Sequence, residues 1–77
     1  MMSKNLYKDE REVTRSEFVA ELRQIAAELE SSAQLNFGDG GQPQQVAVPD
    51  RFEREIEVEQ AKDGARMKVE IELTWNT

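Results

Sequence analysis

The stretch RMKVEIELTW, residues 66–75, alternates polar and apolar side chains without a break. Met67, Val69, Ile71, Leu73 and Trp75 fall on one parity, and Arg66, Lys68, Glu70, Glu72 and Thr74 on the other. Successive side chains of a strand point to opposite faces, so this period predicts a strand with one apolar and one charged face. The upstream stretch RFEREIEVEQ, residues 51–60, repeats the device. Phe52, Ile56 and Val58 share a parity with Arg54, whereas Glu53, Glu55, Glu57 and Glu59 take the other. Asp63-Gly64 lies between the two runs and is a turn signal, so the pair reads as an antiparallel hairpin.

Parity restricts the register of that hairpin. A one-residue slip turns every side chain to the other face, so apolar positions must oppose apolar positions. A three-residue loop at 62–64 would set Glu57 against Val69 and is rejected. A two-residue Asp63-Gly64 turn pairs Val58 with Val69, Ile56 with Ile71 and Phe52 with Trp75. A four-residue loop at 61–64 pairs Glu59 with Arg66 and Glu57 with Lys68, which suits the charges better. The sequence leaves these two registers open.

Upstream, Thr14 and Glu17 form a T-x-x-E capping box, with Val13 and Phe18 placed as a hydrophobic staple. Phe18, Leu22, Ile25 and Leu29 follow at helical spacing, with Val19 and Ala26 widening the stripe. This predicts an amphipathic helix over 15–31, fading at Ser31 and Ser32. Next, Leu35 and Phe37 alternate before GDGG, and Val46 and Val48 alternate after it. Three glycines and an aspartate between such runs predict a second hairpin, with Pro43 at its loop or strand margin and Pro49 closing it. Residues 1–12 are a flexible tail or an edge strand.

One-sided strands imply an antiparallel sheet covered on a single face, and the helix is the available cover. The expected fold is α+β and two-layered: one amphipathic helix packed on one face of a four- to five-stranded antiparallel sheet, in the order (β)-α-β-β-β-β. The expected organisation is one domain spanning residues 1–77. Roughly sixteen large apolar side chains keep a consistent periodicity, a small core for any chain, so dimerisation is a natural supplement.

Composition narrows function mainly by exclusion. The chain has 77 residues, sixteen Asp and Glu against ten Lys and Arg, and a net charge of −6. That balance speaks against nucleic acid and against anionic membrane surfaces. The N-terminal residues carry no apolar stretch long enough for a signal peptide, and a cytoplasmic location is expected. Histidine and cysteine are both absent. Disulfides, thiolate zinc sites, a cysteine nucleophile and imidazole acid–base catalysis therefore drop out. No metal site and no cofactor is expected, and the chain is expected not to be an enzyme.

The succession of a helix, VAVPD at residues 46–50, FEREIEVEQ at 52–60 and MKVEIELTW at 67–75 resembles the small Amphi-Trp domain family. The resemblance covers about residues 10–76 and is sharpest at VPD, residues 48–50, and EIELTW, residues 70–75. Arg54 departs from the pattern, on a parity where an apolar residue is expected. The resemblance implies the architecture and carries no catalytic residue with it.

Candidate binding residues are Trp75, Arg54 and the carboxylates Glu53, Glu55, Glu57, Glu70 and Glu72. Trp75 offers a π face and an N–H donor, but its parity places it on the buried face, packing beside Phe52 under the helix. The carboxylates could hold a divalent cation or a basic partner, yet regular strands lack the turn geometry of a calcium loop. Their plainer role is a wet face that discourages edge pairing. Arg54 is a snorkelling edge residue or an inward anion contact. Gly38, Gly40 and Gly41 do not complete a phosphate loop, because a dinucleotide fingerprint would need glycine at Pro43 and no helix follows. The expected function is a small non-enzymatic domain acting through protein contacts with an unidentified partner or through self-association as a homodimer. The alternative is a small-ligand or divalent-cation module using Trp75 or the acidic face.

Overall fold

The computed structural model describes residues 4–38 and 43–77. Its elements are α1 (Arg15–Ser31), β1 (Gln34–Phe37), β2 (Gln44–Ala47), β3 (Glu53–Gln60) and β4 (Met67–Thr74). The helix occupies the predicted span because its ends are specified locally. Thr14 is the N-cap, and its Oγ1 accepts the Glu17 backbone N–H at 3.1 Å. The Thr14 N–H donates to the Glu17 carboxylate at 3.2 Å, which completes the capping box. At the other end the Ser32 and Ala33 N–H groups both donate to the Glu28 carbonyl, at 3.0 and 3.1 Å. Ala33 reaches this position with φ of 57°, the left-handed conformation that ends many helices.

That sharp exit lays β1 back along the helix. β1 pairs with β2 antiparallel, Leu35 opposite Val46 and Phe37 opposite Gln44. The Val48 N–H donates to the Ala33 carbonyl at 2.8 Å and fixes the end of β2 to the helix exit. Leu35 and Val48, 7% and 8% exposed, are the buried apolar residues among those described. Ile25 and Leu29 are half-buried, on the element that packs on β1. Gly38 enters the connecting loop at φ of 93°. The glycine-rich hairpin loop itself falls on residues 39–42, outside the described residues.

β3 and β4 form a separate antiparallel ladder. Val58 opposes Val69 and Ile56 opposes Ile71, the register in which Phe52 meets Trp75. The register that charge pairing favours is not adopted. It would have set Glu57 against Lys68; instead Glu57 faces Glu70 and Glu55 faces Glu72. Facing like charges cost only a fraction of a kcal/mol per pair. The contact at the open end, with Phe52 and Trp75 ring centroids 6.2 Å apart, favours the observed alignment. The turn end closes by Ala61 N–H to the Arg66 carbonyl at 3.0 Å and Gly64 N–H to the Ala61 carbonyl at 2.8 Å. Asp63 Oδ1 accepts the Ala65 N–H at 2.9 Å, and Gly64 takes φ of 73°.

One expectation is corrected: the strands do not join into one four- to five-stranded sheet, and the described residues form two two-stranded sheets, β1–β2 and β3–β4. Of the two alternatives open for residues 1–12, the edge strand is not formed by residues 4–12; residues 1–3 lie outside the described residues. The helix packs against β1, no Cα atom of it comes within 8 Å of β3 or β4, and Ile56, Val58, Val69 and Ile71 stay exposed. The single stripe has one small hairpin to cover, and covering it uses the C-terminal half of the helix. The larger hairpin is left bare on both faces.

Whole-chain dimensions agree. The radius of gyration is 14.8 Å, against about 11.5 Å for a compact chain of this length. The accessible surface is 7672 Å², against about 4,800 Å² for a folded monomer of this mass.

Candidate interaction face

The β3–β4 ladder sorts its side chains as the alternation dictates. One face carries Arg54, Ile56 and Val58 from β3 opposite Leu73, Ile71 and Val69 from β4, with Gln60 opposite Met67. Phe52 and Trp75 extend this face at the open end. The other face carries Glu53, Glu55, Glu57 and Glu59 opposite Thr74, Glu72, Glu70 and Lys68. The faces are chemically opposite, yet both are wet. Ile71 is 60% exposed, Val69 63%, Val58 64% and Ile56 53%. The expectation that a helix shields the apolar face is therefore overturned within this chain.

The predicted site residues separate accordingly. Trp75 is half-buried and tilts at 58° against Phe52, as expected, but α1 does not lie over this hairpin. Arg54 lies on the apolar face, opposite Leu73. Among the described residues no ion pair engages it. Glu53, Glu55, Glu57, Glu70 and Glu72 run as a ladder along the opposite face. Among the described residues no three carboxylates are grouped to hold one ion. Lys68 Nζ pairs with Glu70 at 2.8 Å. The Glu70 hydrogen bond raises the Lys68 pKa above its ordinary value, with the Glu70 charge adding to it. Thr74 Oγ1 donates to Glu72 at 3.4 Å.

Two features escaped the reading of the sequence. The first is the bare apolar patch itself: alternation places Ile56, Val58, Met67, Val69 and Ile71 on a covered face, and all five are exposed. The signal was a count of covers, since one helix stripe cannot cover two hairpins. The second is a groove of about 400 Å³ beside the helix, walled by Tyr7, Gln24, Glu28 and Phe37. Tyr7 stacks on Phe37 at 5.4 Å, which anchors the N-terminal segment. Glu28 anchors the groove floor. Its Oε1 accepts the Asn36 backbone N–H at 2.7 Å and its Oε2 accepts Gln24 Nε2 at 2.8 Å. The Gln24 hydrogen bond, then that of the Asn36 backbone, lowers the Glu28 pKa. Arg11 is held by Asp9 at 2.7 Å on the rim. The Gln24 amide, the Asn36 N–H and the Arg11 guanidinium each have a carboxylate partner within the chain.

The family model of the Amphi-Trp domain matches residues 1–77, so the chain belongs to the Amphi-Trp family. The match extends beyond the 10–76 segment that carries the resemblance, to the whole sequence. No curated protein and no solved structure matches the chain. Among the described residues no helix is long and apolar enough to cross a membrane.

Proposed function

We propose that this Amphi-Trp domain is a non-enzymatic self-association module, in which the apolar face of β3–β4 is the contact surface and the carboxylate face stays in water. The observation that carries the reading is the exposure of Ile56, Val58, Val69 and Ile71 on one continuous face. An isolated two-stranded hairpin is marginal in water and gains stability from a third element on its apolar side. In this chain neither α1, β1 nor β2 provides that element.

Magnitudes support a second copy. The chain exposes about 2,900 Å² more than a compact monomer of its mass would. Part of that is the extended N-terminal segment, but obligate dimer interfaces of 2,000–5,000 Å² in total (about 1,000–2,500 Å² per partner) fit within the remainder. Six large side chains remain roughly half exposed on the face: Phe52, Ile56, Val58, Met67, Val69 and Ile71. Completing their burial contributes on the order of 5–9 kcal/mol per chain, and twice that in a symmetric pair. That range exceeds the lower estimates of the cost of association, about 4 kcal/mol, and is comparable with the upper ones. We place the module in the cytoplasm on its acidic, cysteine-free composition.

The test is light scattering behind gel filtration on the native chain, Ile71→Asp and Glu72→Gln. The reading predicts a dimer mass for the native chain and for Glu72→Gln, and a shift of Ile71→Asp to monomer. A native chain at 8.8 kDa throughout, or an Ile71→Asp variant that stays dimeric, contradicts it.

A further inference from the structure

The helix has a bare apolar patch of its own. Ile25 and Leu29 are half-buried, but Phe18, Val19 and Leu22, in the N-terminal half of α1, are 46%, 39% and 43% exposed. The chain thus carries two uncovered apolar surfaces, one on a helix and one on a hairpin, with no Cα atom of α1 within 8 Å of β3 or β4. Building on the self-association reading, we propose that the pair is reciprocal: the N-terminal half of α1 from each copy lies across the β3–β4 apolar face of the other.

Three observations favour this over two hairpin faces stacked on each other. First, stacked hairpins would cover β3–β4 and leave Phe18, Val19 and Leu22 wet, whereas reciprocal packing covers both surfaces twice under one two-fold axis. In such an isologous interface residue i meets j and j meets i, and the assembly closes at two copies. Second, the dimensions allow it. Residues 15–23 of the helix span about 13 Å, within the ~27 Å length of the eight-residue strands. Third, the apolar hairpin face carries Arg54 and no carboxylate. Two such faces stacked would put two arginines in one seam with no acid between them, and a desolvated charge without a partner is costly. The helix carries both signs next to its patch, Glu17 and Glu21 as well as Arg15 and Arg23. Arg54 finds a carboxylate there. Edge-to-edge strand pairing would satisfy open backbone groups but leave both apolar surfaces in water.

The absence of cysteine makes the arrangement directly readable. Val19→Cys and Val69→Cys chains, one carrying a mass tag, are refolded together and treated with a short bis-maleimide. Their masses are checked first by light scattering without the reagent. The proposal expects the mixed 19–69 product to exceed both the 19–19 and the 69–69 products several-fold. It also expects a Val19→Cys/Val69→Cys double variant to link between chains. A dimer giving mainly 69–69 product means stacked hairpins and overturns the proposal. A double variant that links within one chain means that α1 closes on its own hairpin, which also overturns it. Monomeric masses before cross-linking sink the self-association reading itself, so the two failures are distinguishable. A dimer with no excess of mixed product counts against the reciprocal arrangement alone.

Discussion

Single residues decide how this chain turns. Ala33 adopts φ of 57° at the helix exit, where a Cβ costs about 1–2 kcal/mol and glycine does not. Ala33→Gly should therefore raise the melting temperature, by up to about 1 kcal/mol of stability once the added freedom of the unfolded chain is subtracted. A melt of the variant beside the native chain checks this; a lower midpoint would mean that Ala33 contributes packing beyond its conformation. Gly64 is the converse case. Its φ of 73° closes the β3–β4 turn, and the space around an added Cβ is open, with Gln60 Nε2 the nearest group at 3.9 Å. Gly64→Ala should destabilise by about 1 kcal/mol through backbone strain alone. Glu28 supplies a pH signature. Its carboxylate is favoured in the folded chain, so its contribution is full above the ordinary value of 4.5 and is lost as pH falls through the lowered folded value. The difference in melting temperature between the native chain and Glu28→Gln should be present at neutral pH and vanish in acid. A constant difference across that range would show that charge is not what Glu28 supplies. The capping box at Thr14 and Glu17 was fully legible in the sequence because its partners are three residues apart. Glu28 was not, because its partner Asn36 lies across a chain reversal.

At the scale of elements, short-range pattern and long-range assembly part company. The helix limits and all four strands follow from spacing, caps and alternation, since each is set by residues within one turn or one pleat. The β3–β4 register was narrowed to two by parity and settled by apolar contact over charge. Like carboxylates remain opposed at Glu57–Glu70 and Glu55–Glu72. Replacing one should therefore help: Glu57→Lys, now opposite Glu70, is expected to stabilise the hairpin by about 0.2–1 kcal/mol. Melts at low and high salt test the same repulsion, because screening should raise the midpoint of the native chain more than that of Glu57→Lys. An equal salt response in both would mean that the Glu ladder is too well solvated to matter. What the pattern could not show is which surface lies on which. Alternation states that Ile56 and Ile71 need an apolar neighbour and says nothing about which chain provides it.

In the whole molecule, apolar faces outnumber the elements that cover them. One helix stripe packs on the hairpin of four-residue strands and does not reach the hairpin of eight-residue strands. The missing cover is assigned to a second copy, which makes stability inseparable from concentration. The most direct measurement is a dilution series in which sedimentation equilibrium and circular dichroism are read on the same samples. Self-association predicts a mass of twice 8.8 kDa at high concentration, falling on dilution together with the strand signal and the melting temperature. A chain that stays at the single-copy mass across the series, with an unchanged cooperative melt, would contradict it.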